Sequence, residues 1–168
     1  LQTVVTGNTF RSLAPLSNTE LAAKRIVGIY GGNVLISGNI FSKCVVISGY
    51  IISTTGAYPG IIIDGNLFIE PTCDVVAVLS GPSNHFTNNT ITNPIGNHSA
   101  AGAYQMVNYY TAAAVSDVLI ENNTQTIKES TFRGGGTSYG VAFNADAALS
   151  GLTIRNNRFF GWSGATPA

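Results

Sequence analysis

Charged side chains are scarce in this chain of 168 residues. Lysine and arginine number 8 and aspartate and glutamate number 8, so only 10% of residues are charged and the formal net charge is zero. Proteins that bind nucleic acids or membrane surfaces normally carry a basic patch, so we expect neither partner. Apolar runs such as Gly60-Ile61-Ile62-Ile63 are short, and we therefore expect no membrane insertion.

Cysteine and histidine are also rare, with two of each. The spacing of Cys44, Cys73, His85 and His98 matches no metal site, so we expect no metal and no other cofactor. The cysteines are either two buried thiols or a disulfide, because the sequence cannot test the geometry that a disulfide needs. Glycine is abundant, with 19 residues, and the chain is rich in Asn, Ser and Thr, which favours strands and turns over helices.

A short motif recurs six times along the chain. It reads apolar, variable, Gly or Asn, Asn, variable and then usually Phe or Ile, with intervals of 31, 27, 23, 34 and 34 residues. The shared asparagine, named the corner Asn below, is Asn8, Asn39, Asn66, Asn89, Asn123 or Asn157. The residue before it is Gly or Asn, the types that best tolerate a left-handed backbone. Each copy therefore predicts a strand, a tight corner and a second strand.

A third strand is expected between successive copies, over 25–30, 44–48, 75–79, 105–109 and 140–144. Period-two alternation places the residue three before and the residue two after each corner Asn on the inner face. Three short strands in 23 to 34 residues are typical of a coil of parallel strands. The predicted fold is all-β, a single domain over 1–168 with about six rungs of three strands each.

This pattern resembles the right-handed, single-stranded parallel β-helix, the fold of pectate lyases and of many bacteriophage tailspikes. The resemblance implies that the six corner Asn form a ladder of stacked, hydrogen-bonded amides with a structural role. It covers essentially the whole chain, which we expect to be a fragment of a longer spike. Scarce charge fits this fold, because stacked rungs place like residues about 4.8 Å apart, where repeated like charges would repel.

Stacking predicts an outward-facing apolar column, four residues before each corner Asn. Its members are Val4, Leu35, Ile62, His85, Leu119 and Thr153. An exposed apolar stripe usually marks an interface, and cover by a loop is the alternative. Tailspikes of the resembled fold are homotrimers, so we expect Val4, Leu35, Ile62 and Leu119 to form a trimer interface.

A polar column, two residues before each corner Asn, also faces outward. Its members are Thr6, Ser37, Asp64, Thr87, Glu121 and Arg155. Asp64 and Glu121 are two rungs apart, roughly 9.6 Å from the rung spacing, which is near the upper end of the carboxyl separations of about 6.5–9.5 Å in inverting glycosidases. They are the candidate catalytic pair, with His85 between them as a further candidate. A Glu121–Arg155 ion pair is the alternative interpretation of this column.

Other acidic and aromatic residues have two interpretations each. Lys43 holds the place of Glu70 one rung earlier, so an ion pair explains Glu70 better than a second acidic site with Asp74 does. Tyrosines offer flat faces with a polar tip, on which sugars stack. Packing against loops or a partner chain is the alternative. The candidate glycan-binding tyrosines are Tyr104, Tyr109, Tyr110 and Tyr139.

The resemblance and these columns favour a tailspike-like module of a virion tail that binds a bacterial surface polysaccharide. If the module is also an enzyme, we expect a glycoside hydrolase that acts on capsular polysaccharide or O-antigen. The alternative is a non-catalytic structural or adhesive trimeric shaft, and a secreted or cell-surface bacterial protein is the alternative location. A pectate-type lyase is the least supported function, because it would need clustered aspartates for calcium and a basic residue.

Overall fold

The chain folds into a parallel β-solenoid. A computed structural model of it describes residues 2–11, 25–46, 49–96, 105–111, 115–126, 139–145 and 149–160. These residues form strands and no helix, and neighbouring strands pair in parallel across successive coils. The predicted all-β fold of stacked coils is therefore confirmed.

Three long sheets run along the solenoid axis. Sheet 1 contains, in spatial order, β1 (Thr3–Thr6), β4 (Val34–Ser37), β7 (Ile61–Asp64), β11 (His85–Thr87), β15 (Val115–Glu121) and β18 (Leu149–Arg155). Sheet 2 contains β2 (Thr9–Arg11), β5 (Ile40–Ser42), β8 (Leu67–Ile69), β12 (Thr90–Thr92), β16 (Thr124–Thr126) and β19 (Arg158–Phe160). Sheet 3 contains β3 (Arg25–Ile29), β6 (Tyr50–Thr54), β10 (Val75–Leu79), β14 (Gln105–Thr111) and β17 (Tyr139–Ala145). A short fourth sheet pairs β9 (Thr72–Cys73) with β13 (Ile95–Gly96).

Each motif copy forms the corner between sheet 1 and sheet 2, and the copies together define six rungs. The residue before each corner Asn has a left-handed backbone, with φ of +62° at Gly38, +63° at Gly65 and +54° at Asn88. Glycine adopts this conformation without steric cost, and asparagine is the side chain that tolerates it best. The restriction of this position to Gly or Asn is therefore explained by backbone geometry.

The corner Asn side chains form a continuous hydrogen-bonded ladder. Asn66 Oδ1 accepts from both the backbone N and Nδ2 of Asn39, each at 3.0 Å. Asn66 Nδ2 donates in turn to Asn89 Oδ1 at 3.0 Å and to the carbonyl oxygen of Ile36 at 2.9 Å. The same pattern links all six corner Asn, from Asn8 to Asn157. The structural role predicted for these residues is confirmed.

Two inner columns of the core flank this corner, and buried side chains of sheet 3 complete the core. Ile36, Ile63, Phe86 and Ile120 fill the column on sheet 1, and all four are fully buried. On sheet 2 the rings of Phe10, Phe41 and Phe68 stack with centroids 4.7 and 4.8 Å apart. Parallel in-register pairing places these rings directly above one another, so the rung spacing also sets the stacking distance.

One prediction about sheet 3 is wrong. The sheet has the expected five strands, and four of them overlap the predicted ranges 25–30, 75–79, 105–109 and 140–144. The expected strand over 44–48 is replaced by β6, which begins at Tyr50. The backbone bends at Lys43, where φ is +51°, and Val45 then bridges to Thr72 beside the fourth sheet. This bend delays the chain's entry into sheet 3.

We predict that the ladder makes a large contribution to stability. Replacing the buried Asn66 by alanine removes the acceptor of Asn39 and a donor to Ile36, so the Asn66→Ala variant should lose about 3 kcal/mol or more of unfolding free energy in urea titrations. Asn8→Ala is the matched control, because Asn8 lies at the exposed end and should cost less than about 1 kcal/mol. Equal losses for the two variants would contradict a buried ladder.

Gln125 is a local defect in the sheet 2 core column. It is fully buried between Ile91 and Phe159, and neither its Nε2 nor its Oε1 has a hydrogen-bond partner in the described part of the chain. Gln125→Leu should therefore raise the unfolding free energy by about 1–3 kcal/mol. Thr126→Val, at the exposed neighbouring position, is the control and should change it by less than about 0.5 kcal/mol. A destabilised Gln125→Leu variant would show that the amide has a partner in solution.

Candidate functional site

The outer face of sheet 1 carries the two predicted columns in the predicted register. Val4, Leu35, Ile62, His85, Leu119 and Thr153 pair in succession along the apolar column. Thr6, Ser37, Asp64, Thr87, Glu121 and Arg155 do the same along the polar column. The side chain of Val4 is 52% exposed, and the other members of the apolar column are half-buried. The outer face of sheet 1 therefore carries a polar column beside an apolar column.

Asp64 is held by neighbours from the next rung. Its Oδ1 accepts from Thr87 Oγ1 at 2.6 Å and from Asn88 Nδ2 at 2.7 Å. Thr87 lies directly between Asp64 and Glu121, so the two carboxylates are two rungs apart, as predicted. Asn88 is the residue with the left-handed backbone at the corner, and this geometry lets its side chain reach Asp64.

Glu121 is likewise held by a neighbour from the next rung. Its Oε2 accepts from Arg155 Nε, the ion pair that was the alternative interpretation of this column. Most of the Glu121 side chain is covered, whereas Arg155 is largely exposed. Each candidate catalytic carboxylate thus already has a protein partner, and their catalytic role stays a prediction.

His85 lies in the apolar column beside Thr87, between Ile62 and Leu119. Its Nε2 is 3.9 Å from Asp117 Oδ1 and has no hydrogen-bond partner among the described residues. Asp117 occupies a second left-handed corner, with φ of +57°, at the start of the same face. The structure therefore adds Asp117 and Asn88 to the face, and sequence reasoning gave a site role to neither.

The second acidic group consists of Glu70, which is ion-paired, and Asp74, which is half-buried. Lys43 Nζ is 3.7 Å from Glu70 Oε2, as predicted, and both side chains are exposed, so the pair contributes little stability. Burial raises the pKa of the Asp74 carboxyl above its ordinary value. Burial, with smaller contributions from Asp74 and Cys44, raises the pKa of the Cys73 thiol well above its ordinary value. Both cysteines are buried and no disulfide joins them, and the raised pKa makes Cys73 unsuited to nucleophilic chemistry.

The tyrosines divide into buried and exposed groups. Tyr109 is fully buried, so the prediction that its ring stacks on a sugar is wrong. Tyr110 is 52% exposed on the same strand, because neighbouring residues of a strand face opposite sides. Tyr139 begins β17, and its side chain lies outside the described part, as does Tyr104 entirely. Tyr30 is a further exposed aromatic side chain, with the Arg25 guanidinium 5.7 Å from its ring centroid.

Tyr109 is tied to the corner of the preceding rung. Its hydroxyl donates to the carbonyl oxygen of Gly81 and accepts from Asn84 Nδ2 at 3.4 Å. Burial raises the pKa of Tyr109 to about 12, and the hydrogen bond from Asn84 opposes this shift. The side chain is therefore a structural element of the core.

The described residues contain no cluster of three or more His, Cys, Asp or Glu side chains that could hold a metal ion. Within the same residues no helix is long and apolar enough to cross a membrane. Comparison with protein-family models, curated proteins and solved structures finds no match to this chain. The β-solenoid assignment therefore rests on the strand pairing alone, and the resemblance to tailspikes stays a prediction.

We predict a specific alkaline loss of stability from Tyr109. Its pKa is near 10 when unfolded and about 12 when folded, so the folded state binds more protons between these values. This contribution is complete below pH 10 and is lost as the pH rises to 12, on the order of 2 kcal/mol. Tyr109→Phe should be less stable than the wild type at pH 9 and should lose less unfolding free energy between pH 9 and 12.

The control is Tyr110→Phe, which removes the hydroxyl of the exposed neighbour. It should keep the wild-type dependence of unfolding free energy on pH. If Tyr109→Phe and Tyr110→Phe have the same pH dependence, Tyr109 is not the titrating group.

Proposed function

We propose that this chain is a polysaccharide-binding β-solenoid module, resembling those of bacteriophage tailspikes, that recognises a bacterial surface glycan. The observation that carries the proposal is the polar column on sheet 1, which runs in register over six strands beside an apolar column and in which only Thr87 is buried. An extended, repeating row of hydrogen-bonding groups suits a linear polymer better than a small molecule in a pocket. On this proposal the module acts outside the bacterial cell, as part of a virion tail.

The chemistry of the central rungs supports recognition of hydroxyl groups. The Asp64 carboxylate is fixed by Thr87 and Asn88, and Glu121 is fixed by Arg155. Fixed carboxylates accept hydrogen bonds from sugar hydroxyls without a further loss of side-chain freedom. The neighbouring apolar surface at Ile62 and Leu119 suits the apolar face of a sugar ring. Binding is better supported than hydrolysis, because both carboxylates already have protein partners.

The second candidate function is a non-catalytic, trimeric shaft. Its support is the apolar column, in which Val4 is 52% exposed and Leu35, Ile62 and Leu119 are half-buried. Packing three copies side by side along this column would remove it from water. The polar column would then border the groove between subunits, so a trimer and a glycan site are compatible.

The test measures binding of the chain to a panel of purified capsular polysaccharides and lipopolysaccharides, together with release of reducing ends. For a bound glycan, an Asp64→Asn and Glu121→Gln double variant should bind at least about tenfold more weakly, a loss of about 1.4 kcal/mol. Lys43→Ala is the matched control and should bind normally, because it breaks the exposed Lys43–Glu70 ion pair, which lies after β5 and β8 and away from the polar column. Release of reducing ends that the double variant abolishes would establish hydrolysis.

Two outcomes would contradict the proposal. Binding that survives the double variant but is lost in Tyr110→Ala would place the site on sheet 3. Failure to bind any glycan, combined with a trimeric mass that Ile62→Asp reduces to a monomer, would support the shaft instead.

A further inference from the structure

The corner between sheets 1 and 2 is bare of side chains at its second and third rungs. The residue before the corner Asn is Gly38 or Gly65 there, and both glycines are exposed. A Cβ atom built on Gly65 would meet no described atom within 4 Å, and one built on Gly38 would meet only Thr6 Oγ1 at 3.9 Å. At the last three rungs the same position is occupied by asparagine, namely Asn88, Asn122 and Asn156. Gly38 and Gly65 thus leave a recess along the corner, named the glycine recess, which ends at Asn88.

The two walls of the glycine recess differ in chemistry. On the sheet 1 side the wall is the polar column, to which Ser37 and Asp64 contribute as a registered pair. On the sheet 2 side Ile40 and Leu67 pair in register, and Ile40 is 38% exposed while Leu67 is half-buried. The recess therefore has a polar, acidic wall opposite an apolar wall.

Asp64 is held in place, but no described residue supplies a cation to it. Its Oδ1 accepts from the neutral donors Thr87 Oγ1 and Asn88 Nδ2, and no described residue donates to its Oδ2. The residues at the same position on the adjacent rungs are Ser37 and Thr87, which are also neutral. Asp64 therefore presents a fixed carboxylate oxygen without a counter-charge at the wall of the recess.

The other carboxylates that face a neighbouring rung have a cationic partner. Glu70 pairs with Lys43, and Glu121 pairs with Arg155. The contrast points to a cation that a ligand brings to Asp64. A calcium or magnesium ion would need several oxygen ligands, and the described residues form no cluster that could hold a metal ion. An ammonium group is a compact charge with three donors, and it can pair with a single carboxylate.

We propose that the glycine recess binds a sugar unit that carries a protonated amino group. The ammonium group donates to Asp64 Oδ2, and the apolar face of the sugar packs on Ile40 and Leu67 across the recess. A sugar acid is disfavoured at the same place, because its carboxylate would meet Asp64 with like charge. The amino-sugar site rests on the glycan-binding function proposed above and adds the class of glycan, a polymer that contains amino sugars.

Titration calorimetry with a matched pair of oligomers tests the amino-sugar site. An oligomer of β-1,4-linked glucosamine carries free amino groups, and its N-acetylated counterpart has the same backbone without the charge. In mildly acidic buffer the wild type should bind the amine form at least about tenfold more tightly. Added salt should reduce this preference, because it screens an exposed ion pair. Asp64→Asn should bind the two oligomers equally, because it removes the charge and keeps the shape of the side chain.

Gly65→Asn fills the recess without straining the corner. It places at the third rung the residue type that the last three rungs carry, and asparagine tolerates the φ of +63° at this position. Affinity for the amine oligomer should fall at least about tenfold. Asn122→Gly is the reverse change two rungs away and should leave that affinity unchanged. Asp117→Asn removes an exposed carboxylate outside the recess and should keep the preference for the amine form. Circular dichroism checks that each variant is folded.

The possible outcomes separate the amino-sugar site from glycan binding in general. A chain that binds a bacterial glycan through Asp64 and Glu121, but binds the two oligomers equally, would overturn the amino-sugar site and leave the proposed function standing. Failure to bind any glycan would overturn both. A preference for the amine form that survives Asp64→Asn would overturn the amino-sugar site. An oligolysine peptide that binds through Asp64 as tightly as the amine oligomer would also overturn it, in favour of a basic peptide ligand.

Discussion

The hydrogen-bonded ladder of corner Asn is the interaction on which the rest of the structure depends. A tight corner leaves backbone groups without strand partners, and burying them unpaired would cost about 1–3 kcal/mol each. The amides of Asn39, Asn66, Asn89 and Asn123 satisfy these groups from inside the corner. Because each amide binds the next rung as well, the ladder fixes the register between rungs. Every column on the neighbouring sheets follows from that register.

Fixed register explains the scarcity and placement of charge. The nearest neighbour of a side chain is the side chain at the same position on the next rung. Like charges in one column would therefore repel at about 4.8 Å. Charged groups in adjacent rungs occur instead as opposite pairs, Lys43 with Glu70 and Glu121 with Arg155. Asp64 is separated from Glu121 by the neutral Thr87, which donates to it. The low content of charged residues is thus a consequence of stacking.

The features that depend on the Asn corner between sheets 1 and 2 could be predicted from the sequence. Those that depend on the other two series of bends could be predicted only in part. The Gly or Asn before each corner Asn predicts the left-handed bend, and alternation from there predicts both outer columns correctly. The second series of bends lies six residues before each of the last five corner Asn, at Asn33, Gly60, Ser83, Asp117 and Gly151. Its turn-forming residues were a usable signal that would have identified Asp117. The third series, four residues after the corner Asn at Lys43, Glu70 and Asn93, includes residue types that do not predict a left-handed backbone, so the late start of β6 could not be predicted.

The same stacking limits the chemistry that the outer face of sheet 1 can carry. Acidic side chains on successive rungs of one column would lie at the rung spacing and would repel one another. A column of Thr, Ser and isolated, partnered carboxylates avoids this cost and still offers donors and acceptors on successive rungs. Such a surface is suited to many weak hydrogen bonds along an extended ligand. The stacking that fixes the register of the solenoid is therefore compatible with the proposed recognition of an extended glycan on sheet 1.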